Sequence, residues 1–163
     1  MSNFNKQSHL LRMGRLSIPN HIYLITSCCH NKQALFINPT PAELLLKQFA
    51  FIDAQAGCMS HAYVIMPDHF HWLVQPGKDE SLDRLVGRLK ANSTRALNKL
   101  RGSNSKVWQK SFHDHALRRE EQLKMFIEYI LNNPVRAGLV DTFDKYPFSF
   151  AVGTKPLLDQ SPL

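Results

Sequence analysis

The sequence predicts an α+β domain built on a mainly antiparallel sheet, and three observations carry that prediction. Two β-prone segments, residues 61–66 and 69–75, are separated only by Pro67-Asp68, the spacing of a tight strand-to-strand turn. Two longer segments, 42–54 and 81–101, place apolar residues at helical rather than alternating spacing. The elements along the chain then follow the order β-α-β-β-α-β-α.

The polar, basic stretch 1–20 reads as an N-terminal arm that breaks at Pro19-Asn20. A first strand runs through His21-Ile-Tyr-Leu-Ile-Thr-Ser-Cys-Cys29. Asn38-Pro-Thr-Pro41 punctuates, and Ala42–Ala54 reads as a helix with Leu44, Leu45, Phe49 and either Phe51 or Ile52 inward. Strands His61–Met66 and His69–Gln75 form the expected hairpin. From Ser81 to Arg101, Leu82, Leu85, Val86, Leu89, Ala96, Leu97 and Leu100 mark the clearest helical stripe. A fourth strand is expected over Phe112–Leu117. A further helix begins near Arg119, with Leu123, Phe126, Ile127, Ile130 and Leu131 on one stripe and an interruption at Pro134. Beyond Asp141, around Tyr146-Pro-Phe-Ser-Phe150, little structure is expected. Four strands with two intervening helices match the split βαβ, ferredoxin-like arrangement, with helices on one sheet face and the other face open to ligand.

The chain has 163 residues, enough to bury a proper core in one domain. Its 44% hydrophobic and 20% charged residues are those of a globular protein, not a disordered one. The net charge of +7 favours a polyanionic partner, because neutralised phosphates release counterions. Cys28, Cys29 and Cys58 form no CxxC pair, and adjacent cysteines make a poor disulfide, so reduced thiols are expected. No apolar run approaches a membrane span or the core of a signal peptide, which makes a cytoplasmic protein with no membrane partner the expectation.

Chemistry is concentrated in a few residues. In a strand, His69 and His71 point to one face, about 6.5 to 7 Å apart, close enough to converge on one cation. Phe70, Trp72 and Val74 take the opposite, apolar face. An isolated HxH is equally an ordinary pair of half-exposed strand histidines. On the last helix Tyr129 falls about 120° from the stripe of Leu123, Ile127 and Ile130, flanking the core rather than entering it. Asn133, four residues on, shares its face in an uninterrupted helix. A boundary tyrosine with its hydroxyl in water, followed by an Asn-Pro stop, explains the same residues.

Three blocks in order distinguish these readings. They are His61-Ala-Tyr-Val-Ile-Met-Pro-Asp-His-Phe-His-Trp-Leu-Val74, Trp108-Gln-Lys-Ser-Phe-His-Asp-His115 and Glu128-Tyr-Ile-Leu-Asn-Asn-Pro-Val-Arg-Ala-Gly-Leu-Val140. With Tyr146-Pro-Phe-Ser149 they resemble the REP-associated tyrosine transposases, a branch of the HUH single-stranded-DNA transposases with an IS200-like transposase domain. The resemblance runs from about Ile18 to Phe150.

That resemblance implies a HUH transposase domain over 21–150, followed by a C-terminal tail over 151–163, with the catalytic helix after the fourth strand. It implies that His69 and His71 coordinate Mg²⁺ or Mn²⁺, that Tyr129 is the nucleophile and that Asn133 is the third ligand. Related HUH transposases outside the branch commonly carry Gln there; Asn is shorter, and Pro134 disfavours a helical conformation at Asn133. The implied activity is cleavage and rejoining of single-stranded, REP-like hairpin DNA through a 5′-phosphotyrosine, with no nucleotide cofactor and by a monomer rather than a dimer. The competing reading is a catalytically silent hairpin DNA- or RNA-binding regulator on the same fold. For DNA contact, Arg84, Arg88, Arg95 and Lys99 fall within about 60° on the long helix, although such a stripe is also the usual solvated face. Arg12 and Arg15 of the arm, with Arg118, Arg119 and Arg136 around the catalytic helix, are better placed for phosphates near a cut. His113 and His115 share one face of the fourth strand and are open to a general-base, stacking or structural role.

Overall fold

A computed structural model of the chain describes residues 18, 20–55, 57–118 and 122–153. Strand β1 (Tyr23–Cys28) is followed by two short 3-10 turns and helix α1 (Pro39–Ala54). Strands β2 (Cys58–Met66) and β3 (His69–Pro76) form the expected hairpin, and helix α2 (Leu82–Arg101) follows. Strand β4 (His113–Ala116), helix α3 (Leu123–Leu131), the short helix α4 (Asn133–Arg136) and strand β5 (Ser149–Ala151) complete the order.

The sheet has the order β4-β1-β3-β2-β5 with every neighbouring pair antiparallel. Its first four strands reproduce the expected ferredoxin-like topology. The fifth strand corrects the expectation of little structure beyond Asp141. There, Phe150 stacks on Tyr63 at 5.0 Å, and the Tyr146 hydroxyl donates to the Ile65 carbonyl. Burial and hydrogen bonding, not β-propensity over a long run, order this three-residue strand.

Alternate residues of each strand feed two separate cores. Tyr23, Ile25, Tyr63, Ile65, Phe70, Trp72 and Val74 pack beneath α1 and α2. Phe49 of α1 sits at the centre, stacked on Tyr63 at 4.3 Å and edge-on to Trp72 at 5.2 Å. The buried serines serve the tryptophans: Trp72 Nε1 donates to Ser60 Oγ at 2.7 Å, and Trp108 Nε1 to Ser93 Oγ at 2.9 Å. An indole buried without an acceptor would lose a hydrogen bond to water and gain nothing in return.

Helix boundaries follow local chemistry. Pro39 and Pro41 open α1 three residues before Ala42, because proline is tolerated in a first turn whose N–H groups lack partners anyway. Ser81 caps α2 by accepting from the Arg84 N–H at 3.3 Å. Gly102 ends it at φ 59°, a left-handed conformation that a side chain would strain. Within α2 the inward stripe differs at two places. Ser93 is buried and bonds back to the Leu89 carbonyl at 2.7 Å, whereas Leu100 is exposed at the last turn. On α1 it is Ile52 that turns inward, leaving Phe51 exposed.

The second face of the sheet is not open, as the sequence had suggested. Helix α3 lies across it, burying Ile130 against Ala62, Val64, Met66 and Leu73. Leu123, Phe126, Ile127 and Leu131 pack around that contact as the expected stripe. The helix thus carries Tyr129 to the histidine-bearing side of β3.

Candidate active site on the histidine face

Strand pairing assembles the site. In the β1–β3 register Thr26 opposes His71 and Cys28 opposes His69, while Thr26 also opposes His113 across β4. Residues directly opposite in antiparallel strands share a face, so His113, Thr26 and His71 form one row on the side of the sheet that carries α3. The His69 and His71 rings meet edge-on with centroids 4.9 Å apart.

Each histidine is fixed through Nδ1. His71 Nδ1 pairs with Thr26 Oγ1 at 2.8 Å, and His69 Nδ1 with Asp68 Oδ1 at 2.6 Å. Both Nε2 atoms are thereby available to a metal, and a carboxylate behind an imidazole raises its basicity as a ligand. His71 is buried, and burial pushes its pKa down to about 4, helped by the neighbouring charges of His69 and Arg136. It is therefore neutral at pH 7, the form a metal requires.

Tyr129 stands opposite. Its ring centroid lies 6.2 Å from that of His71, and the residue is 46% exposed, so the phenol can meet a ligand arriving from solvent. Arg136 covers the ring, with Cζ 4.2 Å from the centroid, and donates to the Tyr129 carbonyl at 2.9 Å. The guanidinium bridges the end of α3 and the turn beyond it, bringing one fixed positive charge against the phenol and near His71.

Asn133 keeps a helical conformation despite the following Pro134. The chain stays helical through Asn132 (φ −83°, ψ −2°), and Asn133 opens α4 rather than being expelled by Pro134. A proline in the first turn of a new helix removes no needed hydrogen bond, which is why the interruption is mild. Asn133 is half-buried, and the hydrogen bonds that fix His69 and His71 come from Asp68 and Thr26, not from Asn133. Nor do three His, Cys, Asp or Glu side chains converge on one point among those residues. Two oriented imidazoles without a carboxylate cage fit an open divalent site that keeps water or substrate ligands better than a closed structural zinc site.

The expected DNA-contacting residues separate into groups. Arg136 lies at the tyrosine, and Arg118 is exposed just beyond β4. Arg84 and Arg88 both approach Glu80, which offsets their charge. Arg95 and Lys99 line a groove against α1, on the far side of the sheet from Tyr129. Arg12, Arg15 and Arg119 lie outside the described residues. Of the two β4 histidines, His115 stacks on Phe126 of α3 at 5.7 Å, a structural contact that holds the tyrosine helix to the sheet edge. Sequence reasoning missed Thr26 and Asp68. Asp68 was detectable as a carboxylate directly before a ligand-type histidine; Thr26 becomes apparent only through strand register.

Comparisons with known proteins agree with this geometry. The family model described as "Transposase IS200 like" matches residues 17–133. A putative REP-associated tyrosine transposase of Haemophilus influenzae is 33% identical over 98 residues, 54% of this chain and 56% of the relative. A REP-associated tyrosine transposase of Escherichia coli is 31% identical over 91 residues, 55% of this chain and 52% of the relative. The chain thus spans about half the length of these two relatives. The solved structure of a REP-associated tyrosine transposase bound to a REP hairpin superposes with a TM-score of 0.70 at 24% identity, covering 83% of this chain and 79% of that one. A putative transposase from Deinococcus radiodurans gives 0.53 at 20% identity, covering 74% and 96%. At those identities the two structures establish the shared fold. With the family model spanning most of the sheet, both histidines and the tyrosine helix, the chain belongs to the IS200-like transposases.

Proposed function

We propose that this protein is a divalent-metal-dependent tyrosine transposase that nicks and rejoins single-stranded DNA bearing REP-like hairpins. The observation that carries the proposal is the approach of Tyr129 to within 6.2 Å of the oriented His69–His71 pair, ring centroid to ring centroid. His69 and His71 hold Mg²⁺ or Mn²⁺, with Asn133 as the assigned third ligand. When bound, the cation polarises the scissile phosphate and offsets charge that develops on it.

The chain's own residues account for the rest. The Tyr129 oxygen attacks phosphorus as the bond from phosphorus to the 3′ oxygen breaks. The products are a 5′-phosphotyrosine and a free 3′-hydroxyl, with the phenolic proton ending on that hydroxyl. Attack by a 3′-hydroxyl on the same phosphorus reverses the step and restores the tyrosine, so no nucleotide cofactor is consumed. A neutral phenol is a weak nucleophile, and Arg136 over the Tyr129 ring sets a fixed positive charge where the phosphate approaches. Thr26 and Asp68 orient the imidazoles, while Arg118, with Arg12, Arg15 and Arg119, supplies phosphate contacts.

The test is a labelled hairpin oligonucleotide incubated with Mn²⁺ and resolved under denaturing conditions. A covalent protein–DNA adduct is expected for the wild type and none for Tyr129→Phe. Persistence of the adduct in Tyr129→Phe removes the nucleophile assignment. Tight hairpin binding that survives loss of both histidines, with no cleavage under any divalent metal, identifies a silent regulator instead.

A further inference from the structure

Phe51 has no role in the core or at the tyrosine. It is 48% exposed on the outer side of α1, where its aromatic surface costs solvation energy unless something covers it. Beside it runs an open groove of about 510 Å³ between α1 and α2. Lys47 and Gln48 on α1 and Asn92, Arg95 and Lys99 on α2 line the groove, with no acidic side chain among them. Among the described residues Lys47, Arg95 and Lys99 make no ion pair. About two to three turns earlier on α2 the same stripe behaves differently, since Glu80 engages both Arg84 and Arg88. The basic stripe is thus offset at its start and without a counter-charge where it meets Phe51, Arg95 donating only to the neutral Asn92 amide oxygen.

From this arrangement we infer that the α1–α2 groove is a second nucleic-acid site, which takes a single-stranded DNA segment on the face of the sheet opposite Tyr129. Arg95 and Lys99, one helical turn apart and about 6 Å along the axis, follow successive phosphates of an extended strand. Lys47 meets the backbone from the other wall, and Gln48 and Asn92 supply neutral donors and acceptors. Phe51 stacks one base. A ring in an open groove needs a base with a free face, which a duplex does not offer and an unpaired strand does. An acidic peptide would use the cations and leave the ring uncovered. The site extends the proposed function, but its test does not depend on cleavage.

Binding is measured by fluorescence anisotropy with a labelled oligothymidylate of about 12 nucleotides, which forms no hairpin. Full-length wild type is compared with Phe51→Ala and with the Lys47→Glu/Lys99→Glu double variant, each checked for folding by its thermal melt. The double variant is expected to weaken binding at least tenfold and to flatten the salt dependence by about 1.4 in log–log slope, the effect of two lost single-strand phosphate contacts. Phe51→Ala is expected to weaken it about tenfold at every salt concentration. Photo-crosslinking of a 5-iodouracil oligonucleotide, mapped by mass spectrometry, is expected to label the peptide containing Phe51. Unchanged affinity in either variant overturns the inference, as does crosslinking confined to the Tyr129 face. Displacement of the oligonucleotide by polyglutamate at equal charge identifies an acidic-peptide groove instead. Adduct formation at Tyr129 in these variants separates failure of the groove from failure of the cleavage reading.

Discussion

The two faces of the sheet are made from alternate residues of the same strands, yet they are built for different ends. Under α1 and α2 the side chains are large, aromatic and buried, with Phe49 stacked on Tyr63 and edge-on to Phe70 and Trp72. Under α3 they are smaller and mixed, with Ala62, Val64 and Leu73 giving way to Thr26, His69 and His71 toward one end of the strands. Close packing makes the first face intolerant of change, and looser cover makes the second accessible. A single strand, β3, serves both: Phe70 and Trp72 anchor it from one side while His69 and His71 are presented on the other. Rigid packing behind the histidines keeps the imidazoles in place.

Substitutions sharpen this contrast. The largest loss of stability is expected for Phe49→Ala, about 3 to 5 kcal/mol in denaturant unfolding, because a cavity opens among three aromatic rings. A loss below about 1 kcal/mol would break the distinction between the faces. The next effect lies on the histidine face and depends on pH. His71 in the folded, metal-free protein has a pKa near 4, below its ordinary value of about 6.5 in the unfolded chain. The unfolded chain therefore binds a proton first, and stability present above pH 6.5 falls as the pH drops toward 4, by up to about 3 kcal/mol. Unfolding titrations with chelator present should show this slope in the wild type and a shallower one in His71→Asn.

Smaller still is Ser93→Ala, expected to cost about 1 to 3 kcal/mol by leaving the Trp108 indole N–H buried without its acceptor. The smallest is Tyr129→Phe. Its hydroxyl is on an exposed residue, so stability is expected to stay within about 0.5 kcal/mol of wild type while adduct formation disappears. A large stability change there would make Tyr129 a core residue and return it to a structural role.

Much of this was legible in the sequence, and the exceptions have a common cause. Strand alternation placed Phe70 and Trp72 opposite His69 and His71 because the two-residue period is local. The long helix announced itself through its leucines, and Ser81 and Gly102 marked its ends. Thr26 was not legible, since its partner lies 45 residues away and only the β1–β3 register brings them together. Strand β5 was missed because three residues carry too little pattern; the contacts with Tyr63 and Ile65 order it. Arg136 was expected near DNA, but its seat over the Tyr129 ring depends on the chain staying helical past Pro134, which proline rules argue against. The joint appearance of His69, His71 and Tyr129 in ordered blocks was stronger than any of their spacings alone.

Helix α3 is nine residues long and buries only Ile130 completely. With Leu123, Phe126, Ile127 and Leu131 only partly buried around it, the helix is expected to open without the rest of the domain unfolding, at a free energy below that of global denaturation. Its amides should therefore exchange with solvent deuterium well ahead of those in α2 and β3. The consequence is freedom of movement for Tyr129 relative to the histidines fixed on the sheet. In the proposed reaction, that freedom lets a tyrosine joined to a DNA end swing with its helix and leave room for a second strand to enter.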